Sequence, residues 1–156
     1  MKRIAVLSCV LVLFLFMDTA VAQREVTGTA AMSQGHGGKL LVVILTGSED
    51  PYKVEWGLRL ALNAYTHPYG EKLLDDVKVL LFSRGVTIVN PRMPFYKDFQ
   101  ERLLALKRAG VEVAGCISGL QEMGLEKEAE EQGIKLVHAS VYTSIRVGEG
   151  YAIMTF

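Results

Sequence analysis

Residues 40–45 read Leu-Leu-Val-Val-Ile-Leu, an apolar run with no polar residue inside it. A strand that is apolar on both faces is typical of a parallel sheet that helices cover on each side. The run is followed by the loop residues Thr46-Gly47-Ser48, and Pro51 then suits the first turn of a helix. The segment therefore predicts a strand–loop–helix unit of an α/β fold.

Strands and helices are predicted to alternate along the rest of the chain. Further strands are predicted at 77–82, 111–114, 134–138 and 151–156, and helices at 51–65, 95–109 and 120–132. The segment from His138 to Gly150 is predicted to be a loop, and no helix follows the last strand. This order predicts a three-layer α/β/α domain, Rossmann-like in the broad sense, with a mostly parallel sheet of about five strands.

The first 22 residues have the composition of a secretory signal peptide. Lys2 and Arg3 precede the apolar run 4–16, and Ala20-Val21-Ala22 supplies the small residues of a cleavage site. The run is shorter than the roughly 20 residues that span a bilayer. We therefore expect cleavage after Ala22, export to the periplasm and no membrane attachment afterwards, with an uncleaved anchor as the alternative. Residues 23–38 are predicted to be a flexible leader, and residues 39–156 a single domain.

Composition excludes several classes of protein. The 156 residues suit one domain, and 17 basic residues balance 17 acidic ones. A nucleic-acid-binding protein normally has a basic excess, so no nucleic acid is expected as a partner. The chain has no phosphate-binding glycine motif and no G-x-S-x-G sequence. Neither a cofactor nor a metal ion is predicted.

Cys116 is the strongest candidate for chemistry. The other cysteine, Cys9, lies in the signal segment, so Cys116 has no partner for a disulfide in the mature chain. It stands where the third predicted strand ends and a helix begins, and the backbone N–H groups of a helix start favour a thiolate. A thiolate is a nucleophile and can carry a persulfide sulfur. The alternative is a small buried apolar residue without a chemical role.

Three other residues are weaker candidates. His138, at the end of the fourth predicted strand, could carry a proton for the thiol if the loops converge. Arg84 and Arg92, in the loop after the second strand, could bind an anionic sulfur species such as thiosulfate. The alternatives are a hydrogen-bonded structural histidine and ordinary solvated arginines.

The sequence around the cysteine resembles the DsrE/DsrF-like sulfur-relay family. The segment 116–125, Cys-Ile-Ser-Gly-Leu-Gln-Glu-Met-Gly-Leu, has the family's glycine eight residues after the cysteine, followed by an apolar residue. The resemblance runs from about Lys39 to Phe156 and includes the opening Leu45-Thr46-Gly47. It implies a small α/β domain that forms trimers or hexamers. It also implies that Cys116 accepts sulfane sulfur from a donor protein and passes it to an acceptor protein.

The sequence is compatible with two functions. One is a persulfide carrier, or sulfurtransferase-type relay, acting through Cys116. The other is a non-catalytic oligomeric module that binds a small ligand or a partner. Glu122 and Met123 favour the binding module, because relay members commonly have basic residues just before the glycine. The predicted export also departs from the relay members, which work mainly in the cytoplasm. A homo-oligomer is expected in both cases, because bulky residues lie outside the predicted core stripes, namely Trp56, Leu60, Phe95 and Tyr96.

Overall fold

The structure, a computed structural model, describes residues 37–66 and 73–156. The predicted signal peptide and residues 23–36 of the predicted leader lie outside the described residues. None of the helices in the two described ranges is long and apolar enough to cross a membrane.

Five strands form one sheet in which every pair is parallel. The strands are β1 (Lys39–Ile44), β2 (Asp76–Leu81), β3 (Glu112–Cys116), β4 (Lys135–Val137) and β5 (Tyr151–Thr155). Their order across the sheet is β4-β3-β2-β1-β5. The predicted α/β fold with a parallel sheet of about five strands is confirmed.

Within the two described ranges, five α-helices and one 3-10 helix connect the strands. The α-helices are α1 (Pro51–Tyr65), α2 (Tyr96–Ala109), α3 (Ile117–Met123), α4 (Glu126–Glu131) and α5 (Ala139–Gly148), and the 3-10 helix is Ser83–Val89. The path from β1 to β4 moves in one direction across the sheet, and the chain then returns to the far edge as β5. Because such crossovers are right-handed, α1 to α4 cover one face and, among the described helices, α5 alone covers the other.

Side chains at the two faces agree with this arrangement. On one face, Gly57 of α1 lies so close to Ile44 that an added Cβ would stand 2.5 Å from the Ile44 side chain. On the other face, Val43 lines a groove together with residues of α5. Both Ile44 and Val43 are buried, at 0% and 6% exposure. The β1 run is therefore apolar on both faces because each face packs against a helical layer.

Two predicted elements are wrong in detail. The segment 138–150, predicted to be a loop, contains the helix α5. Its Ser, Thr and β-branched residues are poor helix formers, so the sequence signal for a helix is weak. Burial of Ala139 and Tyr142 against the sheet stabilises the helix instead. The single helix predicted over 120–132 is two helices, because Gly124 takes a left-handed conformation (φ +63) and ends α3.

The loops after β1 and β2 are packed directly against each other. Gly85, in the 3-10 helix, lies against the backbone of β1, and an added Cβ there would stand 2.0 Å from the Ile44 carbonyl oxygen. The Phe82 N–H donates to that same carbonyl at 2.9 Å. Only glycine fits at position 85, so this close approach fixes the carboxyl ends of β1 and β2 next to each other.

Candidate functional site at the carboxyl edge of the sheet

Cys116 is the last residue of β3, and α3 begins with the next residue. Its Cα pairs with that of Val137 on β4. The preceding Gly115 packs against Leu120, a fully buried residue of α3, whose side chain would stand 2.9 Å from an added Cβ. Cys116 is free and 5% exposed. The strand-end position predicted for the thiol is therefore the position it has.

The side chain of Cys116 belongs to the face of the sheet that α5 covers. Alternate residues of a strand share a face. Leu80 pairs with both Val43 and Ala114, so these three side chains lie on one face. Cys116 follows Ala114 by two residues and shares that face, as Phe82 does on the neighbouring strand. The thiol thus lies in the layer between the sheet and α5, at the carboxyl edge.

An open groove lies in the same layer. It has a volume of about 710 Å³ and runs between α5 and the strands β1, β2 and β5. We call it the α5 groove, and its lining residues are Val43, Leu45, Leu80, Phe82, Ala139, Ser140, Thr143, Ser144, Val147, Ile153 and Thr155. None of these described residues is charged, and several large apolar side chains in it are exposed, including Phe82 at 41%.

Two lining residues of the groove are neighbours of Cys116, which does not itself line it. Leu80 on β2 pairs with Ala114 on β3. Phe82 and Cys116, each two residues further along the chain, are therefore neighbours. Ala139 follows Val137, the β4 partner of Cys116, by two positions. Cys116 therefore lies between a strand end and a helix start that both line the groove.

His138 is brought to the same edge as Cys116. It directly follows Val137 and precedes α5, and its carbonyl accepts the Tyr142 N–H at 2.9 Å. Its side chain is exposed, and no hydrogen bond joins its ring to Cys116 in the part of the chain that is described. Its role as a proton carrier stays a prediction.

Neither candidate arginine lines the α5 groove. Arg84 lies in the 3-10 helix, where its guanidinium is 3.8 Å from the Glu49 carboxylate. It lines a second cavity, of about 400 Å³, which also contains Met123. Arg92 is exposed, and its backbone N–H donates to the Asn90 side chain at 3.0 Å. Binding of an anionic sulfur species by these arginines stays a prediction, and Arg84 already has an acidic neighbour.

A polar network, which the sequence analysis does not predict, holds α5 against the sheet. Tyr142 of α5 donates its hydroxyl hydrogen to Glu112 Oε1 at 2.6 Å. Lys78 lies between two carboxylates, 3.2 Å from Asp76 and 3.9 Å from Glu112. The Tyr151 hydroxyl donates to Asp76. We call these five residues the α5 network. The sequence feature that could have indicated this network is the placement of Lys78 and Glu112 inside otherwise apolar strands.

The network fixes the protonation states of its members. Burial alone raises the pKa values of Asp76 and Glu112, but the donated hydrogen bonds and the Lys78 ammonium outweigh it, so both pKa values lie below the ordinary range. Burial and the hydrogen bond to Asp76 raise the pKa of Tyr151 to about 12. Burial and Glu112 also raise the pKa of Tyr142 above 10.0. At neutral pH the carboxylates are charged and the tyrosines are neutral donors.

The guanidinium of Arg146 adds to the network from the last turn of α5. It lies 4.8 Å from the centre of the Tyr142 ring and 5.8 Å from that of Tyr151. It also pairs with Glu149 at 2.5 Å. The cations of this layer therefore already have acidic or aromatic partners. No group of three or more His, Cys, Asp or Glu side chains suited to a metal ion occurs among the described residues.

Fold and site together define a class of small α/β domains that carry a thiol at the carboxyl edge of a parallel sheet. The sequence model of the DsrE/DsrF-like family matches residues 38–156, and the chain belongs to that family. Among solved structures, the chain is similar to a conserved protein of unknown function from Bacteroides thetaiotaomicron. The TM-score is 0.60 at 15% identity, covering 76% of this chain and 94% of that one, which supports the fold alone. No curated protein matches the chain.

Proposed function

We propose that this protein is an exported sulfur carrier that accepts sulfane sulfur on Cys116 and passes it on as a persulfide. The observation that carries the proposal is the position of Cys116, a free thiol at the carboxyl edge of the sheet whose neighbours Phe82 and Ala139 line an open groove. In parallel sheets, ligands and reactive groups gather at this edge. Membership of a family linked to sulfur relay supports the same activity.

The transfer needs one nucleophile and no cofactor. The Cys116 thiolate attacks the outer sulfur of a donor persulfide, so that an Sγ–S bond forms while the donor's S–S bond breaks. The donor leaves as a thiolate and takes the electron pair of the broken bond. A thiolate of the acceptor protein then removes the same sulfur in an identical exchange, which restores Cys116 with no net oxidation.

Intact mass spectrometry tests the carrier function. The mature chain, beginning at Gln23, is incubated with cysteine persulfide and freed of excess reagent. We expect a gain of one sulfur atom that reducing agent removes. The Cys116→Ser variant, which replaces the thiol with a hydroxyl of similar size, is expected to show no gain. A wild-type protein that stays unmodified would end the proposal.

A second candidate function is a binding module in which the cysteine has no chemical role. The burial of Cys116, which is only 5% exposed, favours it, as does the acidic Glu122 where a basic residue is expected. Iodoacetamide labelling of the native protein separates the two functions. A carrier thiol is labelled in the folded state, whereas a structural thiol is labelled only after unfolding.

We also propose that the chain is processed after Ala22, exported to the periplasm and assembled into a trimer or hexamer. Support comes from the edge strand β5, in which four of five residues are exposed, and from Trp56 and Phe95, at 45% and 50% exposure. Leu60 and Tyr96 are half-buried and contribute less surface. Light scattering on residues 23–156 is expected to give a multiple of the monomer mass, and a monomer mass at all concentrations would contradict assembly.

A further inference from the structure

The chemistry of the α5 groove indicates which sulfur compounds reach Cys116. We infer that the groove binds an uncharged ring or chain of zero-valent sulfur, such as cyclic octasulfur, and presents it to the thiol in preference to anionic donors. This inference rests on the proposed carrier function, because it names the donor class for the same cysteine.

The size and lining of the groove suit a small apolar ligand. Its volume of about 710 Å³ falls in the range of ordinary ligand sites. The sheet contributes Val43, Leu80 and Phe82, while α5 contributes the hydroxyls of Ser140 and Ser144. Zero-valent sulfur is apolar and polarizable, so it loses little hydration on entering such a lining and gains dispersion contacts.

The absence of charge among the described lining residues disfavours anions. Moving thiosulfate out of water is costly unless cations or hydrogen-bond donors replace its hydration. Arg84 lines a different cavity beside Glu49, and Lys78 lies between two carboxylates. The groove therefore offers an anion a few hydroxyls and no free cation from the part of the chain that the structure describes.

The position of Cys116 makes the groove the approach for a neutral donor. Cys116 is not itself a lining residue, but it shares its face of the sheet with Leu80, and the strand register places it next to Phe82 and Ala139, which line the groove. Since only 5% of Cys116 is exposed, a donor arriving directly from bulk solvent meets very little of the residue. A ligand bound in the groove contacts Phe82 and Ala139, the two neighbours of Cys116, before any reaction begins.

The loading step balances without a further reagent. The Cys116 thiolate attacks one sulfur of the octasulfur ring, an Sγ–S bond forms and the adjacent S–S bond of the ring breaks. The electron pair of the broken bond stays on the far end of the opened chain as a terminal thiolate. There is no leaving group and no external oxidant, and the product is a linear polysulfide on Cys116.

Two groove variants and one control test the inference. Ser144→Trp fills the groove from an exposed position of α5, and Ile153→Glu places a charge in its wall from the edge strand. Val141→Trp, on the outer side of α5 at 58% exposure, is the matched control. Binding is followed with N-phenyl-1-naphthylamine, an uncharged fluorescent probe, and displacement by octasulfur is compared with displacement by thiosulfate.

We expect octasulfur to displace the probe and thiosulfate not to. Both groove variants are expected to weaken probe binding about tenfold or more, while Val141→Trp binds as the wild type does. The groove variants are also expected to slow loading of Cys116 from octasulfur more than loading from cysteine persulfide, a charged donor that the groove does not favour. Equal displacement by thiosulfate, or loading from octasulfur that neither variant slows, would overturn the inference.

The outcomes separate this inference from the carrier function. If cysteine persulfide loads Cys116 but octasulfur neither displaces the probe nor loads the thiol, the donor class is wrong and the carrier function stands. If octasulfur displaces the probe but no donor loads Cys116, the carrier function fails. If the groove variants dissociate an oligomer in light scattering and the wild type binds no probe, a second copy of the chain covers the groove, and the inference is wrong.

Discussion

Replacing Tyr142 with phenylalanine tests whether the α5 network holds α5 in place and thereby shapes the groove. Tyr142 is 5% exposed, and its hydroxyl donates to Glu112 at 2.6 Å. Phenylalanine keeps the ring and its contact with the Arg146 guanidinium, 4.8 Å from the ring centre. The substitution therefore removes one hydroxyl and nothing else from the layer between α5 and the sheet.

The expected loss of stability follows from the hydrogen bond that is removed. A hydrogen bond to a charged group contributes about 1.5–3 kcal/mol. The Glu112 carboxylate keeps Lys135 at 3.2 Å, and its side chain is 31% exposed, so water can replace part of the lost bond. We therefore expect the low end, about 1.5 kcal/mol. For a domain of this size, that lowers Tm by about 6 °C.

The pH dependence of the Tm difference between wild type and Tyr142→Phe gives a second check. The pKa of Tyr142 is raised in the folded protein, so its contribution is complete below the unfolded value near 10.0 and is lost as the pH rises above it. The pKa of Glu112 is lowered, so its contribution is present above 4.5 and is lost as the pH falls below that value. The gap in Tm between wild type and Tyr142→Phe should therefore be widest near neutral pH and shrink toward both extremes.

Thermal unfolding followed by circular dichroism measures the gap, with Tyr52→Phe as the control. Tyr52 is 70% exposed, and its hydroxyl has no hydrogen bond to another described residue, so this change should cost less than about 0.5 kcal/mol. The reasoning is refuted if Tyr142→Phe is as stable as the control, or if its gap from wild type is the same at neutral and alkaline pH.

Three further predictions concern the carboxyl edge and are checked by urea unfolding. Gly85→Ala should destabilise the fold by about 1–3 kcal/mol, because the new Cβ would overlap the Ile44 carbonyl oxygen, and unchanged stability would contradict this packing. Leu120→Ala should cost about 2–5 kcal/mol through the cavity it leaves, while the exposed Leu104→Ala should cost far less. Arg84→Ala should change stability by under about 0.5 kcal/mol, since its ion pair is solvent-exposed, and a larger loss would show a stronger pair.

The fold could be predicted from the sequence because its signals are local. The run 40–45 is apolar on both faces, Pro51 begins α1, and Gly110 ends α2 in a left-handed conformation, as expected of a helix C-terminus. Each of these signals depends on neighbours within a few residues. The resemblance to the DsrE/DsrF-like family, which depended on residues 116–125 and a few further short motifs, is confirmed by the family match over 38–156.

The helix α5 was missed because its stability does not come from neighbours in sequence. Serine, threonine and β-branched residues dominate it, and they favour a loop or strand locally. Tyr142 and Arg146 hold it in place by contacts with Glu112 on β3 and Tyr151 on β5. Those partners are brought together only by the sheet, so no window of the sequence contains both sides of the contact.

Because the segment of α5 was predicted to be a loop, the α5 groove could not be predicted either. The apolar run of β1 predicts that both faces of the sheet are covered, but it does not say how completely. The chain returns from β4 at one edge to β5 at the other through a single ten-residue helix. One short helix cannot cover five strands: α5 begins next to the carboxyl end of β4 and runs toward the amino end of β3, where Tyr142 contacts Glu112, so it does not cover the carboxyl ends of β1 and β2. Apolar surface is therefore left open at the carboxyl ends, on the face and at the edge where Cys116 lies. The return connection thus joins fold to proposed chemistry, because it leaves an open groove on the same face of the sheet as the buried Cys116.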